Sequence, residues 1–393
     1  MHTIYRLQRT NPMKRMDGEL KILTEAWDRV VAVPYIVYMP EIRRLLILIN
    51  CDLKETPWGL TCEGMLLYSD DYGVTWSDPQ YIHTDEKGNG DMGFCVGLRY
   101  AGNGKVLLFR TKTHAMSAPV EIWFSYDYGV TWTDIVHESF APDNKPVIHW
   151  DPVHIDRDPV SGKEMKYISS SYMNMIVGNN LDSAEKGEGY CQGYYRTSID
   201  GGRNWNEDFI IPQWKGVDEP CVTRAANGDL VAACRLERLE EHKGKIDHFD
   251  GLGVSVSKDD GLTWTEVKRL YDFGRHHSSM VVLPDGRIVM SYVVRDGYEE
   301  TADGFKQFGI EAVISFDNGE SWDMENRYIL HKWPANRKDE FYYWGASQST
   351  STVLLPDGRL LTAFGTAYRS SLKDRNINSP RDIGLVWWKT QDL

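Results

Sequence analysis

The chain of 393 residues carries 57 acidic against 44 basic side chains, a formal net charge of −13, with 41% hydrophobic and 12% aromatic residues. That balance excludes a general nucleic-acid or anionic-membrane surface, and no apolar run is long enough to span a bilayer. Six cysteines (Cys51, Cys62, Cys95, Cys191, Cys221 and Cys234) are too few for a disulfide framework at this length, and no CxxC zinc spacing, Walker loop or dinucleotide fingerprint occurs. No cofactor and no metal are therefore expected.

The opening Met1-His-Thr-Ile-Tyr-Arg-Leu-Gln-Arg9 lacks the apolar core of a signal peptide. The expectation is a cytoplasmic protein, or a periplasmic or secreted one whose leader has been removed. Gly18 to Val31 reads as a short helix or a peripheral strand, and Pro34 to Ile49 as the opening strands of a first unit.

From there a pattern Ser-x-Asp-x-Gly-x-Thr-Trp recurs. It begins at Ser69, Ser125, Ser198, Ser257 and Ser315 and ends on Trp76, Trp132, Trp205, Trp264 and Trp322. Successive serines are 56, 73, 59 and 58 residues apart. Each copy lies between two β-forming runs, and its Asp, Asn and Gly residues suit a tight turn. The aspartate is placed to accept bonds from turn N–H groups, and the tryptophan to cover the gap between neighbouring sheets.

A second hairpin signal precedes most copies: Ala101-Gly-Asn-Gly104, Asn227-Gly228, Pro284-Asp-Gly286 and Pro356-Asp-Gly358, with a longer turn over Asp156 to Lys163. One unit is thus four short antiparallel strands in about 55 to 60 residues, the length of a propeller blade. Ser349 to Phe364 and Asp382 to Trp388 supply three strands of a sixth unit without the pattern. The predicted fold is all-β: a six-bladed propeller of four-stranded antiparallel blades. It forms one domain over residues 1–393, with blades from about 30 to 390 and the N-terminal segment helping the last blade to close the ring.

The repeated pattern is that of the Asp-box, or BNR repeat, and the chain resembles the sialidase superfamily of six-bladed propellers over nearly its full length. The resemblance implies boxes on the outer rim, between the third and fourth strands of a blade and away from the catalytic centre. Bacterial sialidases carry an arginine in a Tyr/Phe-Arg-Ile-Pro motif of the first blade; Val31-Ala-Val33-Pro34 stands there without one. Their fourth-blade glutamate and the arginine after its turn are matched by Glu219 and Arg235, within Asp218-Glu219-Pro220 and Ala233-Cys234-Arg235. The tyrosine nucleophile is expected at the start of blade six, where Phe341-Tyr-Tyr343-Trp344 stands in an unsettled register.

In a propeller the innermost strands converge on a central channel, so polar residues at their mouths are the site candidates. Glu219 heads the catalytic set, because glycoside hydrolysis needs proton-handling groups around a developing oxocarbenium ion. His149 and Asp151 share one side of an extended strand with Trp150 on the other, and His154 follows closely. His277 and Tyr343 complete the catalytic candidates. Consecutive His276 and His277 face opposite ways if extended, which leaves only one of them for the channel. Arg235, Arg110, Arg295 and Arg369 each follow the first hairpin of a blade, and guanidinium forks of this kind bind carboxylates. With His276, Gln348 and Trp344 they form the candidate substrate-binding set. Asp91 is a further candidate on blade two.

The expected activity is exo-acting, sialidase-like glycoside hydrolysis of a terminal, acidic sugar on an oligosaccharide or polysaccharide. A uronate-directed polysaccharide lyase, suggested by the histidines, and a non-catalytic glycan-binding propeller are the alternatives.

Overall fold

A computed structural model of the chain describes residues 14–15, 19–27, 30–31, 33–56, 59–82, 93–111, 120–132, 134–137, 153–158, 160–175, 190–206, 209–245, 247–302, 304, 306–334, 349–366 and 381–390. The described residues form β-strands and two 3-10 turns, with no α-helix. No helix among them is long and apolar enough to cross a membrane.

Two short N-terminal strands come first, β1 (Lys14–Arg15) and β2 (Glu19–Ile22). Blade 1 is β3 (Tyr35–Met39), β4 (Arg44–Thr56), β5 (Gly59–Ser69) and β6 (Gln80–Tyr81). Blade 2 is β7 (Phe94–Gly102), β8 (Lys105–Thr111), β9 (Glu121–Ser125) and β10 (Asp134–His137). Blade 3 is β11 (His154–Arg157), β12 (Glu164–Met175), β13 (Tyr190–Ser198) and β14 (Phe209–Lys215). Blade 4 is β15 (Val217–Arg224), β16 (Leu230–Leu236), β17 (Gly251–Ser257) and β18 (Lys268–Tyr271). Blade 5 is β19 (Arg275–Val282), β20 (Ile288–Val294), β21 (Gln307–Ser315) and β22 (Tyr328–Pro334). Blade 6 is β23 (Thr350–Leu354), β24 (Leu360–Thr366) and β25 (Asp382–Trp388), with β2 as its outermost strand. Six antiparallel blades result, as the repeat spacing predicted.

The second strands read as apolar runs rather than alternations. Ile288-Val-Met-Ser-Tyr-Val-Val294 is buried at every position, because each face of a central strand meets a neighbouring blade. First strands adjoin one another around the channel: β3 beside β7, β15 beside β19, β19 beside β23, and β23 back to β3.

All five boxes connect a third strand to a fourth. In the first, Ser69 Oγ donates to Asp71 Oδ1 at 2.8 Å and accepts from Gly73 N, while Thr75 donates to Asp71 from N and Oγ1. Trp76 Nε1 donates to Gly73 O. The same aspartate-centred bonds recur at Asp127, Asp200, Asp259 and Asp317. The box glycines have φ between +87° and +92°, and each packs on the blade before its own. A Cβ on Gly129 would lie 2.7 Å from Leu46, on Gly261 2.5 Å from Tyr195, and on Gly319 2.6 Å from Val231. Gly202 likewise approaches Leu107, and Gly73 approaches Trp387 and Leu361. Each box is therefore a clasp directed at the preceding blade.

Blade 6 has no box with which to hold blade 5. The N-terminal segment takes that place: β1 pairs in parallel with β22 of blade 5, and β2 pairs antiparallel with β25 of blade 6. Thr24 extends the join, donating to Asp382 Oδ1 and accepting from Ile383 N. Of the helix and the peripheral strand anticipated for Gly18 to Val31, the described part is a strand over Glu19–Ile22 followed by a turn, with Val30 bridging to Cys51. The six cysteines are buried free thiols. Cys221 pairs in register with Ala233, one step from Cys234.

Candidate functional site

In each blade the first strand runs toward the box end, and the second runs back from it to the opposite face. On that face β15 and β19 carry the same irregularity. Asp218 pairs with Arg235 and Cys221 with Ala233, so Glu219 and Pro220 together oppose Cys234. One blade on, His276 pairs with Val293 and Ser279 with Ser291, so His277 and Ser278 together oppose Tyr292. Each is a β-bulge, two residues against one. Glu219 has φ +42° and His277 φ +56°, the left-handed region. Such a conformation costs a side-chain-bearing residue on the order of 1–3 kcal/mol, a strain that gathers at functional sites. Neighbouring hydroxyls brace both bulges: Ser170 Oγ donates to Pro220 O at 2.6 Å and Thr350 Oγ1 to His277 O at 3.3 Å.

The bulges turn Glu219, His276 and His277 toward one another. All three are buried, and one potential ligand atom of each lies within 4.8 Å of the other two. This corrects the expectation that the two histidines face opposite ways. Strict alternation holds for a regular strand; the extra bulge residue rotates His277 onto the side of His276. Arg275 turns into its own blade, pairing with Glu311 at 3.5 Å.

Arg235 organises the group. Its NH1 lies 2.9 Å from Glu219 Oε2, its Nε 3.2 Å from Asp218 Oδ1, and its NH2 2.5 Å from Asp250 Oδ2 and 3.3 Å from Asp247 Oδ2. Arg295 NH1 reaches the same Asp247 Oδ2 at 2.5 Å, and Arg238 Nε reaches Asp250 Oδ1 at 2.9 Å. His277 Nδ1 stands 3.5 Å from Glu219 Oε2.

One guanidinium cannot satisfy four carboxylates equally, and their titrations divide accordingly. Burial alone would raise Glu219, but Arg235, His277 and Arg295 outweigh it and hold the carboxyl below its ordinary range. Asp247 goes the same way: burial opposes, and Arg295 and Arg235 prevail. Asp218 is pushed well above the carboxylate range by burial, against Arg235 and with Glu219 adding. Asp250 is also raised, by burial first. His276 falls well below the usual imidazole value through burial, then Arg235 and Arg295. Tyr172 on β12 is near enough that Glu219 and Asp218 add to burial in raising its phenol.

Of the residues singled out by sequence, the fold brings Glu219, Arg235, Arg295, His276 and His277 together. Arg110, also buried, lies 3.6 Å from Glu121 and stacks over Trp123 in blade 2. His154 belongs to the box face, 3.0 Å from Asp156, which Arg224 binds in turn. Asp91, His149, Trp150, Asp151, Tyr343, Trp344, Gln348 and Arg369 lie outside the described residues. Sequence reasoning passed over Asp218, Asp247, Asp250 and Tyr172. A signal existed for the first, which is adjacent to Glu219 and a strand partner of Arg235; the loop aspartates gave none.

Residues 96–376 match the profile of the BNR repeat-like domain. The chain belongs to the BNR repeat-like family. Curated proteins gave no significant match. Solved structures share the fold of this family member at low identity. A protein of unknown function from Dyadobacter fermentans is 14% identical, with TM-score 0.60, over 95% of this chain and 99% of the other. The NanB sialidase of Streptococcus pneumoniae is 13% identical, with TM-score 0.58, over 96% and 71%. The alpha-L-arabinanase of Penicillium chrysogenum is 15% identical, with TM-score 0.54, over 91% and 93%.

Proposed function

We propose that this protein is an exo-acting glycoside hydrolase that removes a terminal sugar from a glycan at the face carrying Glu219. The observation that carries the reading is the buried Glu219–His277 pair, 3.5 Å apart, held in two strained bulges and locked by Arg235. A carboxylate and an imidazole in contact at the face opposite the boxes form a proton-handling pair, and fixed positions are what general acid–base chemistry requires. The hydrolase fold of the NanB and arabinanase neighbours agrees with this reading.

The sugar's charge is a separate question. Among the described residues, Arg235 and Arg295 are the arginines beside Glu219 that would grip a sugar carboxylate, and Asp247 already spans both. An acidic sugar has to displace that side chain; a neutral one does not. A neutral terminal sugar is therefore the better fit, in place of the acidic one that the arginine count suggested.

The test is incubation with a panel of neutral and acidic terminal-sugar glycans, with products resolved by mass and Glu219→Gln as control. A sugar released with water added, and not released by the variant, supports the hydrolase. Release without added water makes the protein a lyase, and binding without release makes it a recognition module.

A further inference from the structure

The cluster at the bulges has a property that proton handling does not use. His276 is fully buried, and among the described residues neither of its ring nitrogens has a hydrogen-bond partner. Leaving a buried polar group unsatisfied is destabilising, and the bulge that brings its neighbour His277 beside it adds backbone strain. A fold with no use for His276 would remove the unsatisfied group by placing an apolar residue there. The imidazole is instead held where its ligand atom, one of His277 and one of Glu219 lie within 4.8 Å of one another.

We propose that Glu219, His276 and His277 bind one divalent transition-metal ion, with zinc the best match. Two neutral imidazoles and a carboxylate are a three-ligand set that zinc takes with a fourth, exchangeable position. Two consecutive histidines serve as ligands only because the bulge removes the strand's alternation, so the irregularity and the ligand set explain each other. Arg235 does not bar a cation from this place. Its guanidinium is also spanned by Asp250 and Asp247, and it meets Glu219 through NH1, 2.9 Å from Oε2. When bound, the ion supplies an acidified water or a polarised sugar oxygen, the task otherwise given to the Glu219–His277 pair. His276 becomes a ligand rather than an unexplained buried histidine.

This inference does not rest on hydrolysis, and it is tested by binding. The full chain is dialysed against a chelator, then titrated with zinc chloride and, for its absorption spectrum, with cobalt chloride. Metal per chain is counted after gel filtration. The expected result is one equivalent bound and a cobalt spectrum of low coordination number. His276→Ala and Glu219→Gln should each weaken binding by roughly 100-fold or more while remaining folded by circular dichroism. Glu219→Gln keeps the side-chain volume, so it answers even if His276→Ala fails to fold. No stoichiometric ion in the wild-type chain overturns the inference, even where sugar is released from a glycan. Equal binding by wild type and Glu219→Gln overturns it too, by placing the ion elsewhere. One equivalent that is lost in the variants upholds it, whether or not any glycan is cleaved.

Discussion

Glu219 and His277 occupy the same bulge position in successive blades, both left-handed, with Oε2 and Nδ1 3.5 Å apart. The two blades have diverged at that position in side chain but not in backbone. The carboxylate of one and the imidazole of the next face each other because the ring sets equivalent positions side by side.

Arg235 is the tie on which this arrangement depends. Replacing it with Met removes the one positive group that touches Asp218, Glu219, Asp247 and Asp250 together. Removing one partner of a buried ion pair costs about 3–5 kcal/mol. Urea denaturation should show a loss of that size, with blade 4 taking up protons at neutral pH. A loss below about 1 kcal/mol, the scale of an exposed pair, would mean that solvent already reaches the cluster.

Asp247 sets which sugars enter. In Asp247→Asn the link between Arg235 and Arg295 loses its charge, freeing both to hold a sugar carboxylate. Calorimetric titration with a neutral and an acidic monosaccharide should show the acidic one gaining affinity by roughly tenfold or more, the scale of a charge-assisted bond. If preference does not move toward the acid, Asp247 does not select the substrate.

The clasps are sensitive to a single methyl group. Gly319→Ala would put its Cβ 2.6 Å from Val231 Cγ2 and 2.8 Å from Cγ1, at φ +91°. Val231 is β-branched and fully buried near the start of β16, so it has little room to yield. Strain and overpacking together should cost about 2–4 kcal/mol, read as a lower urea midpoint. Gly228→Ala, where no atom lies within 4 Å of the added Cβ, isolates the backbone part of that cost.

Acid should loosen the boxes. At Asp200 burial raises the pKa, but bonds from the Asn204 backbone and side chain, then Ser198, bring it down to about 2. Asp71, Asp127, Asp259 and Asp317 are lowered as well. A depressed folded-state pKa gives stability that is fully present above the unfolded value of about 3.9 and is lost as pH falls through the folded one. The melting temperature should therefore hold steady down to about pH 4 and fall between about pH 4 and 2. Asp200→Asn should begin lower and lose less over that window.

Most of the architecture was legible because the box is a local device. Its serine, aspartate, glycine and tryptophan bond almost wholly among themselves, so five occurrences in sequence became five turns in space. The N-terminal strand was less legible, since four residues of weak periodicity become a strand only when β25 offers an edge. At the site, Glu219 and Arg235 were visible from their surroundings, but the histidines were given opposite sides. Alternation is a rule about regular pairing, and nothing in Arg275-His-His-Ser-Ser279 marks where the pairing slips. Asp247 and Asp250 lie in a loop, where no period constrains the reading.

The N-terminal join between blades 5 and 6 makes one boundary of the ring unlike the rest. Five blades each grip their predecessor with a turn made from their own chain. At the sixth boundary the grip belongs to residues that touch blade 5 through two register pairs and blade 6 through four. Blades 5 and 6 share a core, but their clasp is made by a separate stretch of chain, so transient opening of the ring should concentrate at this seam. Amide hydrogens of β22 and β25 would then exchange ahead of those in β9 or β17, which occupy comparable places in blades that are clasped from within.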